Sequence, residues 1–123
     1  MSGALRSTSA GGQRELTSTA ELEEWVASGT VVLFKHSPAC WISTMAGREV
    51  KQLSTNFPHI TIGVVDVLRS RALSDDIAER YGIRHESPQA IVFRDGEPVW
   101  HASHLRVKAE ALEEQVRAGA GAG

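Results

Sequence analysis

The fold of this chain is decided by a short stretch around its cysteine, Phe34-Lys35-His36-Ser37-Pro38-Ala39-Cys40-Trp41-Ile42-Ser43. An apolar run typical of a buried strand, residues 31–34, leads into a short turn, and a helical pattern follows the thiol. This order predicts a cysteine in the first turn of a helix that leaves the end of a buried strand. Unpaired backbone N–H groups and the positive end of the helix dipole favour a thiolate there. The alternative is a small buried thiol that does not react.

Composition is that of one globular domain. The 123 residues are 41% hydrophobic and 23% charged, which is ordinary for a folded protein of this length. The net charge of −2 provides no basic field for nucleic acid, and no apolar run reaches the ~18 residues that span a bilayer. The N-terminal residues lack the apolar core of a signal peptide. We therefore expect a cytoplasmic protein whose partners include neither nucleic acid nor a membrane.

The single cysteine restricts the possible chemistry. Cys40 has no partner for an internal disulfide, so any disulfide joins it to another molecule, and a multi-cysteine zinc site is excluded. A metal site built from His36, Cys40 and His85 is a weaker hypothesis, because its ligands would have to converge. We expect no bound metal or other cofactor.

The ends of the chain differ in composition from its middle. Residues 1–14 are rich in Ser, Gly, Ala and Thr, and we predict a disordered segment there. Residues 119–123 consist of Gly and Ala and are predicted to form a flexible tail. The folded domain is expected to occupy residues 15–118.

Helices and strands follow from apolar spacing and from turn signals. The helices are expected at about 18–29, 39–56, 71–82 and 107–118. The strands are expected at 31–35, 60–67, 89–94 and 99–102, with Asp95-Gly96 as the last hairpin turn. Alternating helices and strands predict a right-handed parallel crossover, and the hairpin adds two antiparallel strands. The prediction is an α/β fold with a four-stranded mixed sheet and helices on both faces.

This element order resembles that of the thioredoxin superfamily. The similarity is clearest in Ile77-Ala-Glu-Arg-Tyr-Gly-Ile83, Ser87-Pro88 and Ile91-Val-Phe-Arg-Asp-Gly-Glu97. In that superfamily the proline before the third strand follows a cis peptide bond, and its loop offers backbone groups to an extended thiol substrate. The resemblance therefore implies a thioredoxin-like fold, a cis bond before Pro88 and a substrate-binding role for Ser87 and Pro88.

Within the superfamily, the chain is similar to the monothiol bacilliredoxins, the YtxJ-like group of bacillithiol-system proteins. The matching segments are Phe34-Lys35-His36-Ser37, Cys40-x-x-Ser43, Arg84-His85-Glu86-Ser87-Pro88 and Val99-Trp100-His101-Ala102-Ser103-His104. Ser43 stands where dithiol thioredoxins carry a second cysteine, so the resolving thiol is absent. Trp41 stands where this group is expected to have proline, and its bulk beside the thiol is expected to alter the substrate-binding surface.

The resemblance implies reversible exchange with a low-molecular-weight thiol, bacillithiol, as co-substrate. The Cys40 thiolate attacks the mixed disulfide of an S-thiolated client protein, and a second small-thiol molecule then resets Cys40. A glutathione-using glutaredoxin is less well supported, because its Cys-Gly-Phe-Ser motif is absent. Two other functions stay open: a thioredoxin-like binding module in which Cys40 docks a partner without turnover, and an iron–sulfur carrier dimer with one Cys40 per subunit.

Four other polar residues are candidates for roles near the thiol. Ser43 faces the same side of the helix as Cys40, where its hydroxyl bonds either the thiolate or the backbone of the first turn. His36 and Lys35 end the strand, and either is able to supply positive charge, although a strand-end lysine is usually solvated. His36 is the stronger candidate because it enters the active-site turn. His85 precedes the Ser87-Pro88 loop and is expected to reach the substrate.

Overall fold

The computed structural model describes residues 12–122, with side chains described for residues 12–119. The strands are β1 (Gly12–Glu15), β2 (Thr30–His36), β3 (Thr61–Asp66), β4 (Gln89–Arg94) and β5 (Glu97–Ser103). The α-helices are α1 (Thr19–Val26), α2 (Trp41–Asn56), α3 (Arg71–Tyr81) and α4 (Ala109–Ala122), and a 3-10 turn (His104–Arg106) precedes α4. None of the helices within residues 12–122 has both the length and the apolar character needed to cross a membrane.

The strands form one mixed sheet in the order β1-β3-β2-β4-β5. The central strand β2 pairs in parallel with β3 and antiparallel with β4, and β5 pairs antiparallel with β4. The hairpin turn has positive φ at Asp95 (53°) and Gly96 (85°), as its sequence predicts. The predicted thioredoxin-like fold, with a mixed sheet between helices, is therefore confirmed, but the sheet has five strands where the sequence predicts four.

The additional strand, β1, lies in the segment predicted to be disordered. It pairs in parallel with β3 from Gly12↔Thr61 to Glu15↔Val64. All four of its residues are exposed and none is a large apolar residue, so it lacks the apolar alternation that signals a strand. The next residue, Leu16, is fully buried in the core and holds the strand at the sheet edge. The rest of the predicted disordered segment, residues 1–11, lies outside the described residues.

The last helix also extends beyond its predicted end. Residues 119–122 belong to α4, where the sequence predicts a flexible tail, and position 123 lies outside the described residues. Gly119 packs so closely on the sheet that a Cβ atom would come within 2.8 Å of Arg94 Nε and Thr30 Oγ1. Arg94 also donates a hydrogen bond to the Gln115 carbonyl at 2.9 Å. A small residue is therefore part of the packing of this helix.

The core consists of two apolar clusters, one on each face of the sheet. Helices α1 and α3 cover one face, where Trp25 and Ile77 pack on Leu33 of β2. Helices α2 and α4 cover the other face, where Val50 and Leu112 pack with Phe34. Because strand side chains alternate between faces, each β2 residue belongs to one helix layer or to the other. This alternation decides which residues of the Phe34–Ser43 stretch can meet.

Candidate active site

Cys40 is the residue that caps the N-terminus of α2, one position before the first turn in which the sequence predicts it. Its backbone is extended (φ −111°, ψ 125°), its N–H donates to the Ser37 carbonyl at 3.2 Å, and its carbonyl accepts from the Thr44 N–H at 3.2 Å. Within the described residues its side chain makes no capping hydrogen bond, and the thiol is free and partly exposed. Cys40 therefore lies at the positive end of a 16-residue helix as a partly exposed residue.

Ser43 supports the turn that carries the thiol. Its side chain is buried, and its Oγ accepts a hydrogen bond from the Ser37 backbone N–H at 3.1 Å. The sequence predicts that Ser43 bonds either the Cys40 thiolate or the backbone of the first helical turn. The structure favours a backbone partner, but that N–H belongs to Ser37, in the loop between β2 and α2. Ser43 thereby connects the start of α2 to the end of β2.

His36 lies on the α2 face of the sheet, with its ring on the same side as Phe34. Its ring stacks on Phe34, with centroids 5.7 Å apart and planes 18° apart. It lines a cavity of about 290 Å³ together with Ser43 and Thr44. The structure therefore brings His36 and Ser43 together beside the active-site turn.

Lys35 points to the opposite face of the sheet. Its side chain is 0% exposed, and its ammonium donates to the Ser74 carbonyl at 3.0 Å and to His85 Nδ1 at 3.3 Å. Burial lowers the pKa of Lys35 to about 8, and the charge of Asp75 opposes this shift. Lys35 therefore differs from most strand-end lysines, which are solvated, and its role at the site stays a prediction. A direct charge effect on Cys40 is not favoured, because the side chain extends into the α3 layer, away from α2.

The loop before β4 has the backbone geometry that the resemblance implies. The Ser87-Pro88 peptide bond is cis, and the pairing of Lys35 with Gln89 places Pro88 beside the turn that leaves β2. The Pro88 carbonyl accepts a hydrogen bond from the His104 N–H at 2.8 Å, which joins the loop to the end of β5. The Ser87 hydroxyl is buried and has no partner among the described residues. Any contact of Ser87 with a substrate would therefore use its backbone.

A second, larger cavity of about 690 Å³ lies against Ile42, two residues after Cys40 in the chain. Ile42 of α2, Glu86 of the loop and residues 100–106 surround it. A hydrogen bond from Ser103 lowers the pKa of Glu86, and the nearby His104 contributes to the same shift. His104 has φ of 56°, a strained conformation for a residue other than glycine, and such strain is common at functional sites. In the sequence, the part of this wall formed by residues 100–104 is indicated by the resemblance of segment 99–104 to a known family and by no other pattern.

The surface next to the thiol is apolar. Trp41, the first residue of α2, is 67% exposed, and Met45 follows it one helical turn later at 40% exposure. Leu105 is also exposed and lines a small cavity together with Met45. Large exposed apolar side chains of this kind suit contact with a protein partner.

The histidines do not form a metal site with the thiol. His36 stacks against Phe34 on the α2 face, whereas His85 Nδ1 contacts Lys35 in the α3 layer. Among the residues that the structure describes, no three or more His, Cys, Asp or Glu side chains are grouped to hold a metal ion.

A thiol at a helix N-terminus beside a cis-proline loop, on this sheet, is the architecture of the thioredoxin-fold thiol oxidoreductases. One solved structure, described as an oxidoreductase with a thioredoxin fold, is 30% identical with a TM-score of 0.79, covering 83% of this chain and 91% of its own. A Halobacterium salinarum thioredoxin mutant (22% identity, TM-score 0.74, 90% and 93% covered) and Fasciola hepatica thioredoxin (20%, 0.68, 86% and 98%) share the fold.

Within the thioredoxin-fold thiol oxidoreductases, the chain can be assigned to one family. The family model described as monothiol bacilliredoxin BrxC matches residues 14–112, and the chain belongs to that family.

Proposed function

We propose that the protein removes bacillithiol from mixed disulfides on client proteins, with Cys40 as the nucleophile. One observation carries the proposal: Cys40 is accessible at the N-terminus of α2, and a buried serine, Ser43, holds the position where a second thiol would resolve the product. With one cysteine in the chain, the adduct cannot be released by an internal disulfide. A second thiol molecule has to release it.

The proposed reaction has two exchange steps. The Cys40 thiolate attacks the bacillithiol sulfur of the mixed disulfide, a new S–S bond forms between them, and the client leaves as a thiolate that takes a proton from solvent. The thiolate of a second bacillithiol molecule then attacks the adduct. It forms bacillithiol disulfide and returns Cys40 to the thiolate. No net oxidation of the enzyme occurs, because the disulfide passes from the client to the small thiol.

The surroundings of Cys40 support two kinds of substrate. The larger cavity, about 690 Å³, has the size of a small-molecule site, and Glu86, His104 and Arg106 give it polar and charged walls. A small thiol that carries hydroxyl and charged groups fits such a lining. The exposed Trp41 and the cis-proline loop suit an extended polypeptide. A cytoplasmic location is part of the proposal, since reducing conditions keep a lone thiol free.

A second candidate function is a binding module that captures clients without turnover. The exposed ring of Trp41 beside a thiol with no resolving partner favours it as well. In such a module the mixed disulfide with a client would persist, and excess small thiol would not accelerate release of the reduced client.

A turnover experiment tests the proposal. A client protein with a single bacillithiolated cysteine is incubated with excess bacillithiol and a catalytic amount of enzyme, and the free client is followed by mass spectrometry. We expect many turnovers with wild type and the uncatalysed rate with Cys40→Ser. Equal rates for the two proteins would reject the proposed function and favour the binding module.

A further inference from the structure

Lys35 is buried without an acidic partner. Its side chain is 0% exposed, which is rare for lysine, and among the described residues no carboxylate lies within 4.0 Å of its ammonium. Its two acceptors are the Ser74 carbonyl at 3.0 Å and His85 Nδ1 at 3.3 Å. Burial of an incompletely compensated cation costs stability, so an apolar residue of similar length would serve the core better.

His85 connects this buried group to the surface. It belongs to the segment between α3 and β4 and precedes Pro88 by three residues. The residue is exposed overall, but its Nδ1 edge faces Lys35 Nζ and lies 3.2 Å from Ser74 Oγ. The ring therefore spans from the buried ammonium towards solvent, next to the loop proposed to bind the client.

The chemistry of Lys35 decides which nitrogen of His85 carries the proton. A charged ammonium has three donors and no acceptor, so the Nδ1 atom that faces it has to accept. A neutral ring with an accepting Nδ1 carries its proton on Nε2. Burial, with the Lys35 charge as the second cause, lowers the pKa of His85, which favours the neutral ring.

We propose that Lys35 is a positioning residue that fixes His85 as the Nε2–H tautomer and so presents a hydrogen-bond donor to an acceptor oxygen of the client polypeptide beside the cis-proline loop. The inference rests on the proposed function. It gives the buried lysine a purpose that its cost to stability otherwise leaves unexplained. According to this inference, the Nε2–H of His85 binds the protein client and not the small thiol.

The arrangement depends on pH through His85. Protonation places a hydrogen on Nδ1, which then opposes the Lys35 donor, and two positive charges lie close together. The other charged groups that face the ring act in opposite directions, since Asp75 and Glu86 favour the protonated form and Arg71 opposes it. The protonated ring keeps its Nε2–H, but repulsion from Lys35 moves it out of the position in which that donor faces the client, so binding of the client should weaken as the pH falls through the pKa of His85.

Three variants distinguish the effect of the N–H donor from the effect of the histidine side chain as a whole. His85→Gln keeps an N–H close to the Nε2 position, His85→Leu removes it, and Lys35→Met removes the buried cation. We expect KM for the bacillithiolated client to rise about 3- to 10-fold in His85→Leu and Lys35→Met, with kcat nearly unchanged, because one hydrogen bond is lost. We expect His85→Gln to keep KM within about twofold of wild type at neutral pH. The increase in KM that wild type shows at acidic pH should be absent in this variant.

Imidazole nitrogen NMR of the resting protein reads the tautomer directly. We expect a protonated Nε2 and a bare Nδ1 for His85 in wild type, and a higher pKa of His85 in Lys35→Met. A protonated Nδ1 in neutral wild type, or a KM unchanged in His85→Leu while wild type turns over, would overturn this inference and leave the proposed function intact. Absence of turnover by wild type would remove both.

Discussion

Ser43 accepts a hydrogen bond from the backbone N–H of Ser37 through a hydroxyl that is almost fully buried. The bond joins Ser37, the first residue after β2, to Ser43 in the first turn of α2. The position at which the resemblance to dithiol thioredoxins places a second cysteine holds a serine with a structural task in this chain. With serine at this position, the hydrogen bond holds the turn in place, and Cys40 is kept at the N-terminus of α2.

Ser43→Ala should destabilise the protein, because it leaves the partly buried Ser37 N–H without its acceptor. We expect a loss of about 1–2 kcal/mol in the free energy of unfolding, measured by denaturant titration. Ser54→Ala in the same helix is the matched control, since the Ser54 hydroxyl is buried without a hydrogen-bond partner among the described residues. The control should lose no stability. Equal losses in the two variants would contradict the role assigned to Ser43.

Trp41→Pro should fold as well as wild type. Trp41 is the first residue of α2, a position where proline is well tolerated, and its side chain is 67% exposed. We expect stability within about 1 kcal/mol of wild type and a higher KM for protein clients, with exchange of the small disulfide unchanged. Trp41→Ala should show the same kinetic change. If both variants bind clients as wild type does, Trp41 has no part in client recognition.

Lys35→Met should change how stability depends on pH. The pKa of Lys35 is about 8 in the folded protein against 10.5 for an unperturbed lysine, so between these values the unfolded chain binds more protons. The stability of wild type therefore gains from Lys35 as the pH rises through this window, and the penalty for burying the charge is greatest below pH 8. In Lys35→Met this gain is absent.

The size of that difference is measurable by denaturant titration from pH 7 to pH 10.5. We expect Lys35→Met to exceed wild type at pH 7 by up to the order of 3 kcal/mol, and the gap to close at high pH. Lys51→Met, at an exposed lysine of α2, controls for the loss of one charge. A constant gap across the range would show that the Lys35 ammonium is not destabilised by burial.

The sequence is sufficient for the parts of the fold that depend on local patterns. Apolar spacing predicts α2, and Gly82 ends α3 with φ of 65°, as a C-terminal glycine should. Strand β1 is missed because its four exposed residues carry no apolar pattern, and only pairing with β3 defines it. The helical extension to Ala122 is missed because a run of Gly and Ala is typical of a flexible tail, and the close approach of Gly119 to Arg94 and Thr30 is not visible in the local sequence.

The candidate site divides in the same way. The thiol, the serine and the proline belong to short segments whose places in the fold follow from local order, and the roles assigned to them stay predictions. The burial of Lys35 does not, because its partners Ser74 and His85 lie 39 and 50 residues away in the chain. The wall of the larger cavity likewise joins Ile42 to residues near position 104, which only the folded sheet brings together.

The most direct test of the central claim is the intact mass of the purified protein after incubation with oxidised bacillithiol, with Cys40→Ser alongside. We predict one bacillithiol adduct on wild type, none on Cys40→Ser, and complete removal of the adduct by excess free bacillithiol. A wild-type protein that forms no adduct, or forms one that free bacillithiol does not remove, would contradict reversible exchange at Cys40.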